Sequence, residues 1–362
     1  MRRSTELQSA PEAVWAAALA EMDGVPASRL VAMLRLDPPS AVFAQLASER
    51  LLALPDDRDV GERWDRCVDS AIDVTWVGDD RYPTALANDV APPPVLFFQG
   101  DLDVLSGRRA AVVGTRNATA AGRAAAFGFG ADLASSGVHV ISGLARGIDA
   151  CAHRGALSDA AFDGRPIAVV GSGLDVVYPR EHHNLWTQVA ESGVLLSEYP
   201  PGSEPLPYHF PMRNRIVAAL AEALVVVESR HRGGSLITVD EALLRGVHVL
   251  AVPGGIHNRS ADGTNGLLRD GAAVAIDATD VLAAMAIDHR RLVPRGEPRP
   301  RPAAADLAVY QACCAAPHTM EGIALQTGQS LVQVAMSLAR LDQVGWVAGT
   351  DGWYEAIGAP LR

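Results

Sequence analysis

Between residues 107 and 285 of this 362-residue chain, short uninterrupted apolar runs alternate with stretches of helical periodicity. Ile167-Ala168-Val169-Val170 and Leu224-Val225-Val226-Val227 carry no polar residue at any position. A strand with one wet face alternates; a run that is apolar throughout needs cover on both sides, as in a parallel sheet between layers of helices. The rhythm predicts strands over 110–114, 138–142, 167–171, 194–197, 223–228, 247–252 and 273–276. Helical patterns fall between them, near 119–135, 147–157, 181–191, 211–222 and 235–245. The fold class is α/β, with a doubly wound, mainly parallel sheet.

The flanks read differently. Residues 1–80 are expected to form a small helical domain, with Val14, Ala17, Leu19, Val31, Leu34, Val42 and Leu46 at helical spacing and a turn at Asp23-Gly24-Val25-Pro26. Helix, glycine turn, helix is similar to a helix-hairpin-helix unit; a plain packing domain fits the same residues. Residues 81–106 look like a connector, through Pro92-Pro93-Pro94 and a short apolar run, Val95 to Phe98, and lead into the α/β domain, which spans 81–285 with its core at 107–285. Residues 286–305 form a linker in which Pro294, Pro298, Pro300 and Pro302 lie among five arginines. Residues 306–362 make a last unit, with helices near 306–314, 319–326 and 330–341 and a hairpin at Gly345–Ala348 and Trp353–Ala356, the pattern of a winged helix. Its third helix carries one cation, Arg340, which favours a protein partner over duplex reading.

Composition narrows the class. Apolar residues make up 49% and charged residues 20%, the range of an ordinary globular protein. Arg2 and Arg3 are followed by Glu6 and Gln8, so no signal peptide is expected and the chain reads as cytoplasmic, without membrane insertion. Cys67, Cys151, Cys313 and Cys314 form no CxxC pair, so neither structural zinc nor a disulfide scaffold is expected. The net charge of −11 sits mainly in residues 1–106, with 9 arginines against 18 acids, whereas residues 107–285 hold 15 arginines against 17 acids. Overall charge argues against a nonspecific nucleic-acid coat but leaves room for a local cationic groove.

In an open α/β sheet, ligands bind beyond the carboxyl ends of the strands. Here those ends carry Gly114-Thr115-Arg116, then Ser142-Gly143-Leu144-Ala145-Arg146-Gly147-Ile148-Asp149, then Gly171-Ser172-Gly173-Leu174-Asp175 with Tyr178-Pro179-Arg180, and then Gly233-Gly234-Ser235 opening a helix. Glycine turns let backbone amides approach an anion, and Arg116, Arg146 and Arg180 can fork onto phosphate oxygens. None of these turns is a GxGxxG fingerprint or a P-loop, so neither a dinucleotide cofactor nor NTP hydrolysis is expected. Phe210-Pro211-Met212-Arg213-Asn214-Arg215 opens another helix. Arg213 and Arg215 have the wrong sign for that helix end and need an anion, either a carboxylate such as Glu228 or Glu198 or a phosphate. Asp149 and His153, four apart, either brace the loop as a buried pair or form a dyad. His182, His183 and Cys151 have no companions at metal-ligand spacing.

These motifs, with Ser197-Glu198-Tyr199-Pro200-Pro201-Gly202, Gly234-Ser235-Leu236-Ile237-Thr238 and Val252-Pro253-Gly254, occur in an order that closely resembles the DNA-processing protein A family (DprA/Smf) over about 107–275. The resemblance implies an extended Rossmann-like core that binds single-stranded DNA without a cofactor or a catalytic reaction, a SAM- or helix-hairpin-helix-like N-terminal domain and a C-terminal winged helix. It also implies a homodimer through the Rossmann-like domain. The family's role in natural transformation and recombination brings in two partners, RecA recombinase, onto which strands are passed, and single-strand binding protein. It maps strand contacts onto Arg116 and Arg180, and further motif positions onto Gly114, Thr115, Ser142, Gly143, Arg146, Gly171, Gly173, Arg213, Asn214, Arg215, Gly234 and Ser235. Only Tyr178, Tyr199, Tyr208 and Phe210 are aromatic nearby, so backbone contacts are expected to dominate, with strong salt dependence and little sequence preference. The core also resembles nucleoside-monophosphate phosphoribohydrolases. In that enzyme reading Glu241, in Gly233-Gly234-Ser235-Leu236-Ile237-Thr238-Val239-Asp240-Glu241, would be the base. A winged-helix regulator is the remaining alternative.

Overall fold

The computed structural model describes residues 11–22, 24–49, 57–286 and 299–357. Asp23 of the expected turn and residues 287–298 of the expected linker lie outside them. The chain divides into two compact units, one holding the large sheet and the other the C-terminal helices together with Ala118–Ala125.

The first unit is built on nine strands: β1 (Asp73–Trp76), β2 (Val95–Gly100), β3 (Arg109–Val113), β4 (His139–Ser142), β5 (Pro166–Val169), β6 (Val194–Ser197), β7 (Ala223–Val226), β8 (His248–Ala251) and β9 (Ala273–Val274). Their order is β1-β2-β6-β5-β4-β3-β7-β8-β9. From β3 to β9 every pairing is parallel; β1 and β2 add an antiparallel pair beside β6. All seven expected strands form, most of them ending a residue or two earlier than the apolar runs do, where the chain turns into its loops. The strands β1 and β2 fall in stretches read from sequence as helical domain and connector. Four residues beginning with Asp73, and four apolar residues after three prolines, give too little periodicity to read as strands.

The helices are α1 (Glu12–Leu19), α2 (Ala27–Leu34), α3 (Pro39–Ser48), α4 (Asp57–Asp69), α5 (Thr84–Ala87), α6 (Ala120–Ser135), α7 (Ile148–Ala156), α8 (His183–Ser192), α9 (His209–Leu220), α10 (Ser235–Leu244), α11 (Asp262–Arg269) and α12 (Ala278–Ala284). The uninterrupted strands are covered on both faces. Ile167 and Val169 of β5 pack in one core with Ile216 and Leu220 of α9 and Val239 of α10. Ala168 and Val170 pack in the other, with Leu185 and Trp186 of α8 and with Leu19, Leu34 and Val42 of α1 to α3. Neighbouring residues of β6 divide the same way, Leu196 to the first core and Leu195 to the second. Side chains alternate across a strand, so each run feeds two cores at once.

The topology positions the site. From β3 the chain adds β4, β5 and β6 on one side, then returns to add β7, β8 and β9 on the other. The loops after β3 and β7 therefore leave adjacent strands in opposite directions, and such a switch point opens a crevice at the carboxyl edge.

The second unit contains α13 (Leu307–Ala315), β10 (His318–Thr319), α14 (Met320–Thr327), α15 (Leu331–Gln343), β11 (Val347–Thr350) and β12 (Trp353–Ala356), its strands ordered β10-β12-β11. Val309, Tyr310, Ile323, Val334, Leu338 and Trp346 form its core. Ser330 and Gln333 close a capping box at the start of α15. Arg340, the cation of α15, is held by Asp306, with Nε 3.0 Å from Oδ2. Among the described residues, no helix is long and apolar enough to cross a membrane.

Candidate functional site

The crevice at the switch point encloses about 590 Å³, within the roughly 300–1,000 Å³ of ligand pockets. Gly114, Thr115 and Arg116 after β3, Gly143 and Asp149 after β4, Arg230 and Arg232 to Ser235 after β7, and Phe210, Arg213 and Asn214 at the start of α9 line it. A smaller pocket beside it is lined by Arg116, Gly143, Arg146, Gly171, Ser172, Tyr178, Pro179 and Phe210.

Most of the backbone amides expected to meet an anion are engaged within the protein. Thr115 N–H donates to Glu228 O at 2.8 Å and Gly173 N–H to Ser203 O at 2.9 Å. Gly143 N–H donates to Asp149 Oδ2 at 3.1 Å. Gly233 N–H donates to Arg230 O at 2.9 Å. Several of these glycines sit where the turns crowd their neighbours, Gly114, Gly143 and Gly147 among them. Gly147, at φ +77°, leaves no room for a β-carbon against the carbonyls of Thr115 and Arg116. Three further motif residues lie beneath the surface. Ser142 is fully buried, and its hydroxyl donates to Val112 O at 2.7 Å. Buried Gly171 accepts at its carbonyl from His209 Nδ1, at 3.1 Å. Ser235 is buried, with its hydroxyl on that of Ser229 at 2.9 Å, whereas Gly234 is exposed at the rim.

The arginines sort into three states. Arg213 is buried under the cleft, with Nη1 donating to Val169 O. Burial pushes its pKa down to about 10, opposed by Asp149 and reinforced by Arg116. Asp149, buried beside it, is raised by burial, while Arg213 and the N–H groups of Ala145 and Gly143 hold it down. Arg215 pairs with Glu198, which resolves the carboxylate alternative, and donates from Nη1 to Ala91 O at 2.8 Å. Burial raises Glu198 and Arg215 lowers it. Arg146 is exposed but forked onto Glu181, with Nε to Oε1 and Nη2 to Oε2 at 2.8 Å.

Arg116 and Arg180 are exposed, and no carboxylate among the described residues pairs with either. Arg230 and Arg232 are exposed and unpaired in the same way. These last two were missed in the sequence, where they are flagged only by the Arg-His-Arg run ahead of Gly233-Gly234.

The four aromatics gather more closely than their spacing suggests. The Arg116 guanidinium lies 4.6 Å from the Phe210 ring centroid, and Tyr178 lies 5.5 Å from the same ring. Tyr199 stacks on His209 at 3.8 Å, and Tyr208 meets that imidazole edge-on at 4.6 Å. Tyr178 and Tyr208 are exposed.

Two enzyme readings lose their residues. Glu241 does not line the cleft; its carboxylate meets Arg245 Nη1 at 2.5 Å, and Arg245 is also forked onto Asp89. His153 is fully buried, with Nε2 3.3 Å from Ile167 O, below the sheet edge rather than in the cleft. Among the described residues, no cluster of three His, Cys, Asp or Glu could hold a metal ion.

Fold and site together define an open-sheet α/β protein with a cationic, aromatic-edged cleft at its switch point. Residues 73–286 match the family described as DNA recombination-mediator protein A, and the chain belongs to that family. It is 41% identical over 205 residues to DNA processing protein DprA of Streptococcus pneumoniae, covering 57% of this chain and 71% of that one. To Protein Smf of Escherichia coli K12 it is 35% identical over 280 residues, covering 75% and 74%. The X-ray structure of the S. pneumoniae protein superposes with a TM-score of 0.60 at 32% identity, over 77% of this chain and 94% of that one. A structure of DNA processing protein A from Helicobacter pylori, described for its single-stranded DNA binding mode, gives 0.53 at 26% identity, over 59% and 95%.

Proposed function

We propose that this protein binds single-stranded DNA along the carboxyl edge of its sheet and acts as a recombination mediator, protecting strands and passing them to RecA. The observation that carries this reading is the set of exposed arginines, free of carboxylates among the described residues: Arg116, Arg230 and Arg232 line the cleft with Tyr178 and Phe210, and Arg180 follows Tyr178 by two residues. A single strand needs a cationic track and π-faces for its bases, and both meet here. Family membership and the strand-binding mode of the H. pylori relative support the same reading. The cations and rings carry the strand, and the glycine amides brace the loops beneath it. The setting is cytoplasmic DNA recombination and natural transformation, with single-strand binding protein as a further partner and a homodimer through the Rossmann-like domain. The N-terminal helices read as a SAM- or helix-hairpin-helix-like domain and the C-terminal unit as a winged helix. The protein is a binder rather than an enzyme.

The test is fluorescence anisotropy of labelled oligo-dT and the matching duplex at two salt concentrations, with wild type beside Arg116→Ala/Arg180→Ala. Single-strand preference that salt weakens and the double substitution abolishes supports the site. Binding indifferent to both arginines overturns it. RecA filament formation on strands coated with single-strand binding protein then tests the delivery step.

A further inference from the structure

Arg146 and Glu181 raise a question that strand binding alone does not answer: a cation on the binding rim already holds a carboxylate. The pair joins the loop after β4 to the turn after Pro179, with side chains 62% and 50% exposed. Ion pairs this open add little to stability, so the fold does not depend on it. The two loops are already tied by a buried bond, His182 Nδ1 to Leu144 O at 2.9 Å, one residue along on one side and two on the other. The geometry is that of anion capture. Two N–H groups on one edge of the guanidinium meet two oxygens, as they would meet a phosphate. Arg146 lines the same small pocket as Arg116, Tyr178 and Phe210, and Arg180 immediately precedes Glu181 in the chain.

We propose that Glu181 stands in the place of a strand phosphate at Arg146, an internal competitor that a bound strand must displace. The inference rests on the strand-binding reading above. Displacement needs only a side-chain rotation, since Glu181 lies on the short turn Arg180–His182 and its carboxylate is open to solvent. A lone phosphate competes poorly with a tethered carboxylate. A strand already held at Arg116 and Arg180 presents its next phosphate at high effective concentration and wins. Glu181 thereby selects for continuous strand over short oligonucleotides and free phosphates.

The test uses the full chain and labelled oligo-dT of several lengths, read by anisotropy across a salt series. Four proteins are compared with wild type: Glu181→Gln, Glu181→Gln/Arg146→Ala, Asp103→Asn and Arg116→Ala. Asp103 is exposed in the short turn Leu102–Ser106 that leads into the amino end of β3, so Asp103→Asn makes the same change in net charge away from the carboxyl-edge site. Glu181→Gln is expected to bind about 3–10-fold tighter, most for the shortest strands, with a salt slope steeper by about 0.7, the increment of one added phosphate contact. Adding Arg146→Ala should remove the gain, and Asp103→Asn should not reproduce it. If Glu181→Gln binds no better than Asp103→Asn while Arg116→Ala still weakens binding, the competitor role is wrong and the strand site stands. If Arg116→Ala also has no effect, the strand site itself fails and takes the proposal with it.

Discussion

The guanidinium of Arg213 occupies the space that a β-carbon on Gly143 would fill. Two motifs far apart in the chain are thus one contact, in which the glycine loop after β4 closes over an arginine from α9 that reaches Val169 O on β5. Gly143→Ala should push the guanidinium off that carbonyl and destabilise the protein by about 1–3 kcal/mol, as overpacked cores do. Urea denaturation measures this, and an unchanged midpoint would show that the loop can yield.

Arg213 and Asp149 are both buried, and each offsets the other's charge. Arg213→Ala strands a buried carboxylate and an unmet carbonyl, with an expected loss of about 3–5 kcal/mol. Arg213→Ala/Asp149→Ala should recover part of it. A double substitution no more stable than the single one counts against the coupling.

Arg215 and Arg116 should separate stability from binding. Arg215→Ala leaves Glu198 buried without its partner and should lower the melting temperature while the folded protein keeps its affinity for oligo-dT. Arg116→Ala should do the reverse, with unchanged melting and a salt slope shallower by about 0.7. Weaker strand binding by folded Arg215→Ala would return that residue to the interface.

Phe210 meets both the Arg116 guanidinium and the Tyr178 ring. If bases stack there, Phe210→Ala costs about 1–3 kcal/mol of strand affinity. Phe210→Trp should retain most of it. Equal affinities for all three proteins in a filter-binding titration would leave the backbone as the whole of the contact.

His153 makes the fold sensitive to acid. Burial pushes its pKa down to about 3, against a bond to Ile167 O that raises it, while an unfolded imidazole titrates near 6.5. Between those values the unfolded chain binds a proton that the folded chain refuses. Stability from this group is therefore complete above pH 6.5 and falls by about 1.4 kcal/mol per pH unit as pH drops toward 3. Denaturation at pH 7, 6 and 5 should show His153→Gln losing stability less steeply than wild type; parallel slopes would exclude this source.

The large sheet was legible in the sequence because burial on both faces leaves runs such as Ile167 to Val170 without a polar residue. The strands β1 and β2 were not, since a short edge pair beside β6 carries no such signature and is held by its neighbours. The site was legible as a place, because glycine turns and arginines cluster at strand ends whose location follows from the parallel topology. It was less legible as a list of contacts. Arg213, Arg215, Arg146 and Arg116 look alike in sequence, yet one is buried, two are paired with carboxylates and one has no carboxylate partner among the described residues.

By itself, then, the sequence determined the α/β layering, the edge that carries the candidate site and the sign of the charge offered there, since these depend on local periodicity and on which loops follow strands. Tertiary structure alone decided which cations remain available, brought Arg230 and Arg232 into the cleft and assembled Tyr178, Phe210 and Arg116 into one surface. A charge is free or neutralised according to what lies within a few ångströms of it, and those neighbours come from segments whose meeting only the folded sheet arranges.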